Sequence, residues 1–481
     1  MTQPTSADGT TRAPVFYNTL GRTSVPFEPT RPGEARMYTC GPTVYNHVHV
    51  GNLRTFVFED LLRRALAYLG YRVTQVMNLT DVDDKTIRGA QAAGLELDAF
   101  TEPYIASFFE DLDTLHVERA EFYPRATRHV GEMIEIIERL IERGFAYASD
   151  GSVWFRIAQD ADYGKLSGFD LEAARQGDRV ANDEYEKEDV RDFVLWKAHK
   201  EGEPSWESPW GPGRPGWHIE CSAMSRKYLG DTFDIHCGAV DNIFPHHENE
   251  IAQSESASGE PFVKVWLHAE HLIVDGEKMS KSLGNQYTLK DLVGRGCSPR
   301  ALRYLFLSVH YRQKLNFTFE SLDAAGNALR RVDGMRFRLA HAAEHGPADA
   351  AVGIACAALA DEVAAALADD LNVSRALAGV FGFVSEINAR IEARGIGEGD
   401  RDRVVAALAG VDRVFGVFDP AAWTTAEASP DDTAEIQGMV DERNAARKRR
   451  DFAAADRLRA ALAARGVVIE DTPQGTRWKR T

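Results

Sequence analysis

Cysteine is scarce in this 481-residue sequence: there are five, Cys40, Cys221, Cys237, Cys297 and Cys356. Five scattered thiols in a chain of this length build no disulfide framework, so free or metal-bound thiols in a reducing cytoplasm are expected. Long hydrophobic runs are missing as well. No segment reads as an apolar stretch of the roughly 20 residues needed to cross a bilayer, and residues 1–34 are polar and proline-bearing, with no signal-peptide core. A soluble, cytoplasmic protein without a membrane partner is the expectation. Positive charge is also short, the formal net charge being −17, which argues against indiscriminate binding of polyanions. The deficit is uneven: Asp441 to Thr481 carries eleven Lys/Arg against six Asp/Glu, a net of +5 that leaves −22 on the rest. Any polyanion contact is therefore local, with the tail its leading candidate. The length suits about three domains.

The stretch that stands out is Cys40 to Arg54, CGPTVYNHVHVGNLR. A short strand candidate, Ala35 to Thr39, precedes it. A helix pattern follows, with Leu53, Phe56, Val57, Leu61, Ala65 and Leu69 at three- and four-residue steps, stopped by Gly70. Tyr71 to Met77 reads as a second strand. The resulting βαβ unit puts the loop at the carboxyl edge of a parallel sheet, where open α/β folds bind ligands. The loop carries a soft metal ligand, two histidines (His47, His49) and Gly51, which permits close backbone approach at a helix N-terminus where anions are favoured. Lys278-Met279-Ser280-Lys281-Ser282, far downstream, supplies the cations that the loop lacks.

After the unit comes Asn78 to Lys85, whose aspartates suit an N-capping turn; Thr80, a hydroxyl at a strand end, is placed to touch a substrate. Residues 100–145 read as helical and 146–205 as strands and polar loops, including the charge-dense Asp183 to Asp192. The sheet pattern resumes at Trp206 to Trp217 and runs through Phe233 to Asp241 into PHHENE at 245–250. Pro245 suits a first helical turn, putting His246 and Glu250 at i and i+4 on one face. With Cys40 and Cys221 from two strand ends they make two thiolates, one imidazole and one carboxylate, the donor types of tetrahedral zinc. The same spacing also suits an ordinary helix-surface pair with two core cysteines, and it does not choose His246 over His247.

His49-Val50-Gly51-Asn52 resembles the HIGH signature of class I aminoacyl-tRNA synthetases, and residues 278–282 spell their KMSKS signature. In order and spacing, MYTCGPTVY, NLTDVDDK, PGWHIECSAM, DIHCGAVDNIFPHHENEIAQS and KMSKSLGN resemble the cysteinyl-tRNA synthetase family over nearly the whole chain. The resemblance implies an α/β, class I Rossmann-like catalytic domain with an inserted subdomain, then helical domains and a small α+β anticodon-binding module. Its boundaries are 1–120 and 206–290 for the catalytic halves, 121–205 for the insertion, 291–345 for a stem-contact helical connection, 346–419 for a helical bundle and 430–481 for the module, behind a linker at 420–432.

The resemblance further implies an ATP-dependent, AMP-forming ligase that activates L-cysteine and transfers it to its tRNA. Its cofactors are one zinc ion per chain on Cys40, Cys221, His246 and Glu250, and magnesium with ATP. Gly41, Thr80, Trp217 and His236 would line the cysteine, while His49, Gly51, Asn52, Gly238, Asp241 and Lys281 would meet ATP. His49, Asn52, Lys278 and Lys281 would be catalytic. Two positions depart from the pattern, Cys237 and Ala239, where many relatives have glycine. The zinc has a physical rationale, because shape alone separates near-isosteres such as cysteine and serine by only about 1–3 kcal/mol, whereas a thiophilic ion favours sulfur. Two other readings differ in class or partner: a relative that ligates cysteine to glucosaminyl-inositol in mycothiol synthesis and binds no tRNA, and a non-catalytic tRNA-binding paralogue.

Overall fold

The computed structural model describes residues 13–169, 192–280, 283–423, 430–464, 467–472 and 475–480. Lys281 and Ser282 of the lysine motif, most of Asp183 to Asp192 and part of the 420–432 stretch lie outside the described residues. Two compact units divide the chain, Met1–Phe418 and Asp419–Thr481.

The first unit opens with an antiparallel hairpin, β1 (Val15–Asn18) and β2 (Thr23–Pro26). Then β3 (Glu34–Thr39), helix α1 (Val50–Tyr68) and β4 (Arg72–Met77) form the expected parallel unit. Leu53, Phe56, Val57, Leu61 and Ala65 are all buried, so the three- and four-residue spacing in the sequence is the stripe that seats α1 on the sheet. Asp83 caps α2 (Asp84–Ala93), its carboxylate accepting from the Lys85 amide, which makes the aspartates after β4 partly a helix start. Two further helices follow, α3 (Leu97–Thr114) and α4 (Val130–Glu142), where the sequence reads as one helical stretch.

An antiparallel sheet of β5 (Ala146–Ser149), β6 (Ser152–Phe155), β7 (Phe193–Ala198) and β8 (Gly213–Pro215) comes next, and the chain then returns to the parallel core. There the helix Trp217–Leu229 precedes β9 (Phe233–Ala239), and the helix Glu248–Ser258 precedes β10 (Val263–Ala269). The parallel order β10-β9-β3-β4 puts β9 in register beside β3, Tyr38 opposite His236 and Thr39 opposite Cys237. The carboxyl ends of β3, β4, β9 and β10 thus gather at one edge. A smaller sheet, β11 (Leu272–Val274), β12 (Glu277–Lys278) and β13 (Leu315–Phe317), carries the start of the lysine motif.

Helices Pro299–Ser308 and Phe319–His341 lead to a bundle of Ala350–Leu367, Val373–Arg394 and Asp400–Phe415. Ala350–Leu367 is long and apolar enough by length and composition to cross a membrane, which corrects the expectation that no such stretch exists. Its apolar character is largely alanine, and Val352, Leu359, Val363 and Leu367 are buried within the bundle. The second unit consists of helices Pro430–Lys448 and Phe452–Ala464 and an antiparallel hairpin, Val467–Thr472 with Gly475–Arg480. Ile436, Val440, Leu462 and Val467 form its own small core.

Candidate functional site

Three segments converge at the carboxyl edge of the parallel sheet. Cys40 follows β3 directly; Cys221 lies in the second turn of the helix Trp217–Leu229, not at a strand end as its sequence context suggests. Phe244 has extended backbone and kinks the chain, and Pro245 directly after it opens the helical turn that runs into Glu248–Ser258, as its sequence context suggests. His246 and Glu250 meet there, Nε2 to Oε1 at 3.0 Å. The ligand atoms of Cys40, Cys221, His246 and Glu250 all lie within 4.8 Å of one another, and an overlapping set, Cys40, His236, His247 and Glu250, meets the same limit.

Cys221, His246 and Glu250 are buried and Cys40 is half-buried, and the partners of the cluster are specific. Glu250 turns Oε1 to His246 and Oε2 to His236 Nε2 at 2.9 Å. His247 Nε2 lies 3.2 Å from Cys40 Sγ, and its Nδ1 pairs with His268 Nε2 at 2.8 Å. His268 in turn reaches Thr19 Oγ1 at 2.7 Å through Nδ1, while His246 Nδ1 pairs with His218 Nδ1 at 2.9 Å. Burial pushes the Glu250 carboxyl up, yet His236 and His246 outweigh it and bring the group down to about 2. The Cys221 thiol is likewise raised by burial but lowered to about 6 by hydrogen bonds with Cys40 and His246, whereas burial and the neighbouring Cys221 push Cys40 up. For His246 burial acts downward, and Glu250 and Cys221 raise it to about 10. Burial, the largest cause in each case, holds His218 and His247 well below the usual imidazole range and His268 at about 3.

Sequence reasoning left His218 and His268 out, although each pairs with a ring nitrogen beside the cluster; His268, near the end of β10, and His218, three residues before Cys221, were the available signals. Trp217, at the start of its helix, lays its ring on His246 with centroids 4.4 Å apart, and it stays 41% exposed in an otherwise buried setting. Thr80 is buried and accepts from Asn78 Nδ2 at 3.0 Å, and Asn78 Oδ1 accepts from the Gly41 amide at 2.9 Å. Gly41 is required by closeness: a Cβ there would stand 1.7 Å from the Asn78 carbonyl oxygen. His236 completes this group at full burial.

On the other side of the loop, His49 is the N-cap of α1. Its Nδ1 accepts from the Gly51 and Asn52 amides at 3.1 and 3.3 Å, while Asn52 Oδ1 accepts from the His49 amide at 3.2 Å. That reciprocal cap assigns the ring proton to Nε2 and directs His49 as a donor at a helix N-terminus. Lys278 is exposed on β12, paired in register with Ile273. Gly238 is buried on β9, and Asp241 is exposed in the 3-10 turn Val240–Asn242 beyond it. Cys237 faces the opposite side of the strand from His236 and is fully buried, and Glu59 is the charge that acts on its thiol after burial itself.

Comparison with known proteins separates the possibilities. A family model described as the tRNA synthetases class I (C) catalytic domain matches residues 26–327, a DALR domain matches 362–419, and a cysteinyl-tRNA ligase anticodon binding domain matches 429–478. The cysteine–tRNA ligase of Solibacter usitatus is 49% identical over 465 residues, 97% of this chain and 99% of the relative. The chain belongs to the cysteine–tRNA ligase family. A second member of that family, from Protochlamydia amoebophila, is 47% identical over 476 residues, 97% of each chain. The fold recurs in Mycobacterium tuberculosis methionyl-tRNA synthetase, solved with methionyl-adenylate, at a TM-score of 0.57 and 16% identity, covering 80% of this chain and 90% of that one. The LeuRS of Agrobacterium radiobacter K84 aligns at the same TM-score of 0.57 with 12% identity, over 82% of this chain and 85% of that one. Family membership thus rests on sequence, and these two structures share the class I fold.

Proposed function

We infer that this chain is a cysteine–tRNA ligase: it joins L-cysteine to ATP as cysteinyl-adenylate with release of pyrophosphate, then transfers cysteine to the 3′ end of its tRNA. The observation that carries this reading is the largely buried cluster of Cys40, Cys221, His246 and Glu250 at the sheet edge that also bears the capped His49, in a chain of this family.

We assign the cluster to zinc. The donor set fits: two sulfurs, an imidazole and a carboxylate within one ion's reach, held among groups whose charges compensate before any ion arrives. Of the two overlapping sets, the one with both thiols suits zinc better, and it leaves His236 to hold the second oxygen of Glu250, the usual outer partner of a ligating carboxylate. A bound zinc supplies affinity for thiolate and hence the preference for cysteine over serine.

The protein's own groups then divide the work. Trp217, Thr80, Gly41 and His236 surround the amino acid, with Thr80 oriented by the Asn78 amide. Gly238 and Asp241 flank the adenosine, and Gly51 lets the α1 N-terminus approach the phosphates of ATP, which arrives with magnesium. His49 donates through Nε2, Asn52 fixes it, and Lys278 and Lys281 neutralise charge that grows on the leaving pyrophosphate. Residues 1–120 and 206–290 would form the catalytic domain, 121–205 its insertion, 291–345 the stem connection, 346–419 the bundle and 430–481 the anticodon module. The reaction is assigned to the cytoplasm, where five unpaired cysteines stay reduced.

The test is cysteine-dependent pyrophosphate exchange, followed by charging of tRNA bearing the cysteine anticodon. Adenylation without charging would revive the mycothiol-type ligase; tRNA binding without adenylation would point to a non-catalytic paralogue. The match of residues 429–478 to an anticodon binding domain favours the synthetase.

A further inference from the structure

Arg54 lies one turn into α1 and is 3% exposed. Its guanidinium makes no short ion pair among the described residues, although the Glu270 carboxylate acts on it from a distance. It donates instead to three main-chain carbonyls, those of Glu270, His271 and Gln313, the His271 bond being 2.7 Å. Glu270 and His271 form the entry to β11, and Gln313 precedes β13, so one side chain grips the roots of two of the three strands in the sheet that carries Lys278. A buried cation whose hydrogen bonds all go to carbonyls is an expensive way to fill space, since an apolar residue of similar volume avoids the desolvation. What a forked five-donor group offers instead is simultaneous alignment of several acceptors.

The far foot of the lysine loop is tied to the same helix. The Val50 amide donates to the Tyr287 carbonyl at 2.9 Å, and His49 bridges Thr288. Between the feet, Met279 leans on Gly51, where its Cε lies 2.5 Å from the position a Cβ would take. Both ends of the segment from Glu270 to Thr288 are thus fastened to six consecutive residues, the α1 N-cap His49 to Arg54. The helix that presents His49 and Asn52 is also the mount of the lysine loop.

We propose that Arg54 is a positioning residue for adenylate formation: by holding the carbonyls of Glu270, His271 and Gln313 it sets the lysine loop against the N-terminus of α1. This rests on the ligase reading above. Misplacement of reacting groups by about 1 Å costs on the order of 10²-fold in rate, so a loosened root acts on the step that uses the lysines. The transfer of cysteine from adenylate to tRNA releases AMP after pyrophosphate has left, and it does not need the loop at the β- and γ-phosphates.

The test compares wild type, Arg54→Lys and Arg54→Met as zinc-loaded full-length enzymes. Pyrophosphate exchange gives kcat and KM for ATP and cysteine, and single-turnover transfer starts from enzyme-bound adenylate. Arg54→Met should lower the exchange kcat by about 10- to 100-fold with KM for cysteine unchanged and the transfer rate within about twofold. Arg54→Lys, which keeps the charge but not the planar fork that aligns three carbonyls, should fall between and keeps the test open if the methionine variant does not fold. Hydrogen exchange should quicken in residues 272–278 while β3, β4 and β9 stay protected. Equal loss in both steps, no loss in either, or a rise in KM for cysteine alone would overturn the proposal. Absence of cysteine-dependent exchange in the wild type would instead overturn the ligase reading.

Discussion

His236 Nε2 stands 2.9 Å from Glu250 Oε2, both groups fully buried, so the carboxylate that faces His246 through one oxygen is steadied through the other. Removing an outer partner of this kind costs about 10- to 100-fold in metal affinity. His236→Leu should therefore lose zinc to a chelator at a concentration that wild type withstands, with metal content read by elemental analysis. Full retention of zinc at every chelator concentration would show that Glu250 needs no such support.

Glu59 on α1 gives a prediction in pH. It is fully buried, and neither carboxylate oxygen has a hydrogen-bond partner. Burial pushes its carboxyl well above the usual range. The folded state therefore keeps a proton that the unfolded chain releases near pH 4.3. Stability from this group is complete below that unfolded value and is lost as pH rises toward the folded one. Glu59→Gln should raise Tm at pH 8 more than at pH 5, by thermal scans in matched buffers; an unchanged difference between the two pH values would contradict it.

The Asp60–Arg303 pair, Oδ2 to Nη2 at 2.5 Å with both side chains buried, joins α1 to the helix Pro299–Ser308. Asp60 also accepts from Arg64 Nε and from the Glu118 amide, each at 2.8 Å, whereas the other Arg303 hydrogen bonds go to carbonyls. Losing the acid leaves a buried guanidinium without its anion, but losing the base leaves the acid with Arg64. Asp60→Ala should cost about 3–5 kcal/mol and Arg303→Met less, as measured by urea unfolding. The reverse order would place the dominant charge elsewhere.

The last prediction concerns the tail. Every residue assigned to zinc, cysteine or ATP precedes residue 285, and the chain from Asp419 onward is a compact unit of its own. Deleting residues 425–481 should leave zinc content and pyrophosphate exchange nearly intact and should sharply reduce charging. For every anticodon base that the tail reads, the deletion should remove roughly 1–3 kcal/mol of discrimination. Equal charging by truncated and full-length protein would reassign the tail.

Much of the fold was legible because its signals are local. The apolar spacing in α1 and the strands around it follow from periodicities of 3.6 and 2. The metal-type cluster was legible as a donor set, but its scaffold was only partly so: Cys221 lies on a helix and not at a strand end, because backbone conformation around a buried polar cluster answers to tertiary packing. Spacing could not choose between His246 and His247, since both rings reach Glu250 or Cys40 from the same turn. Arg54 was invisible for another reason: its partners are main-chain oxygens more than 200 residues away, which no side-chain pattern encodes.

The pairing of β3 with β9 has a consequence for biosynthesis. Cys40 leaves the ribosome early, yet its fellow donors emerge about 200 residues later, after the antiparallel insertion, and the central strand pair closes only then. Contacts of such long separation form late, because the closing loop's entropy must be met first. A nascent chain ending before Glu250 lacks the complete donor set, so the cluster is assembled only once the two halves of the sheet have joined.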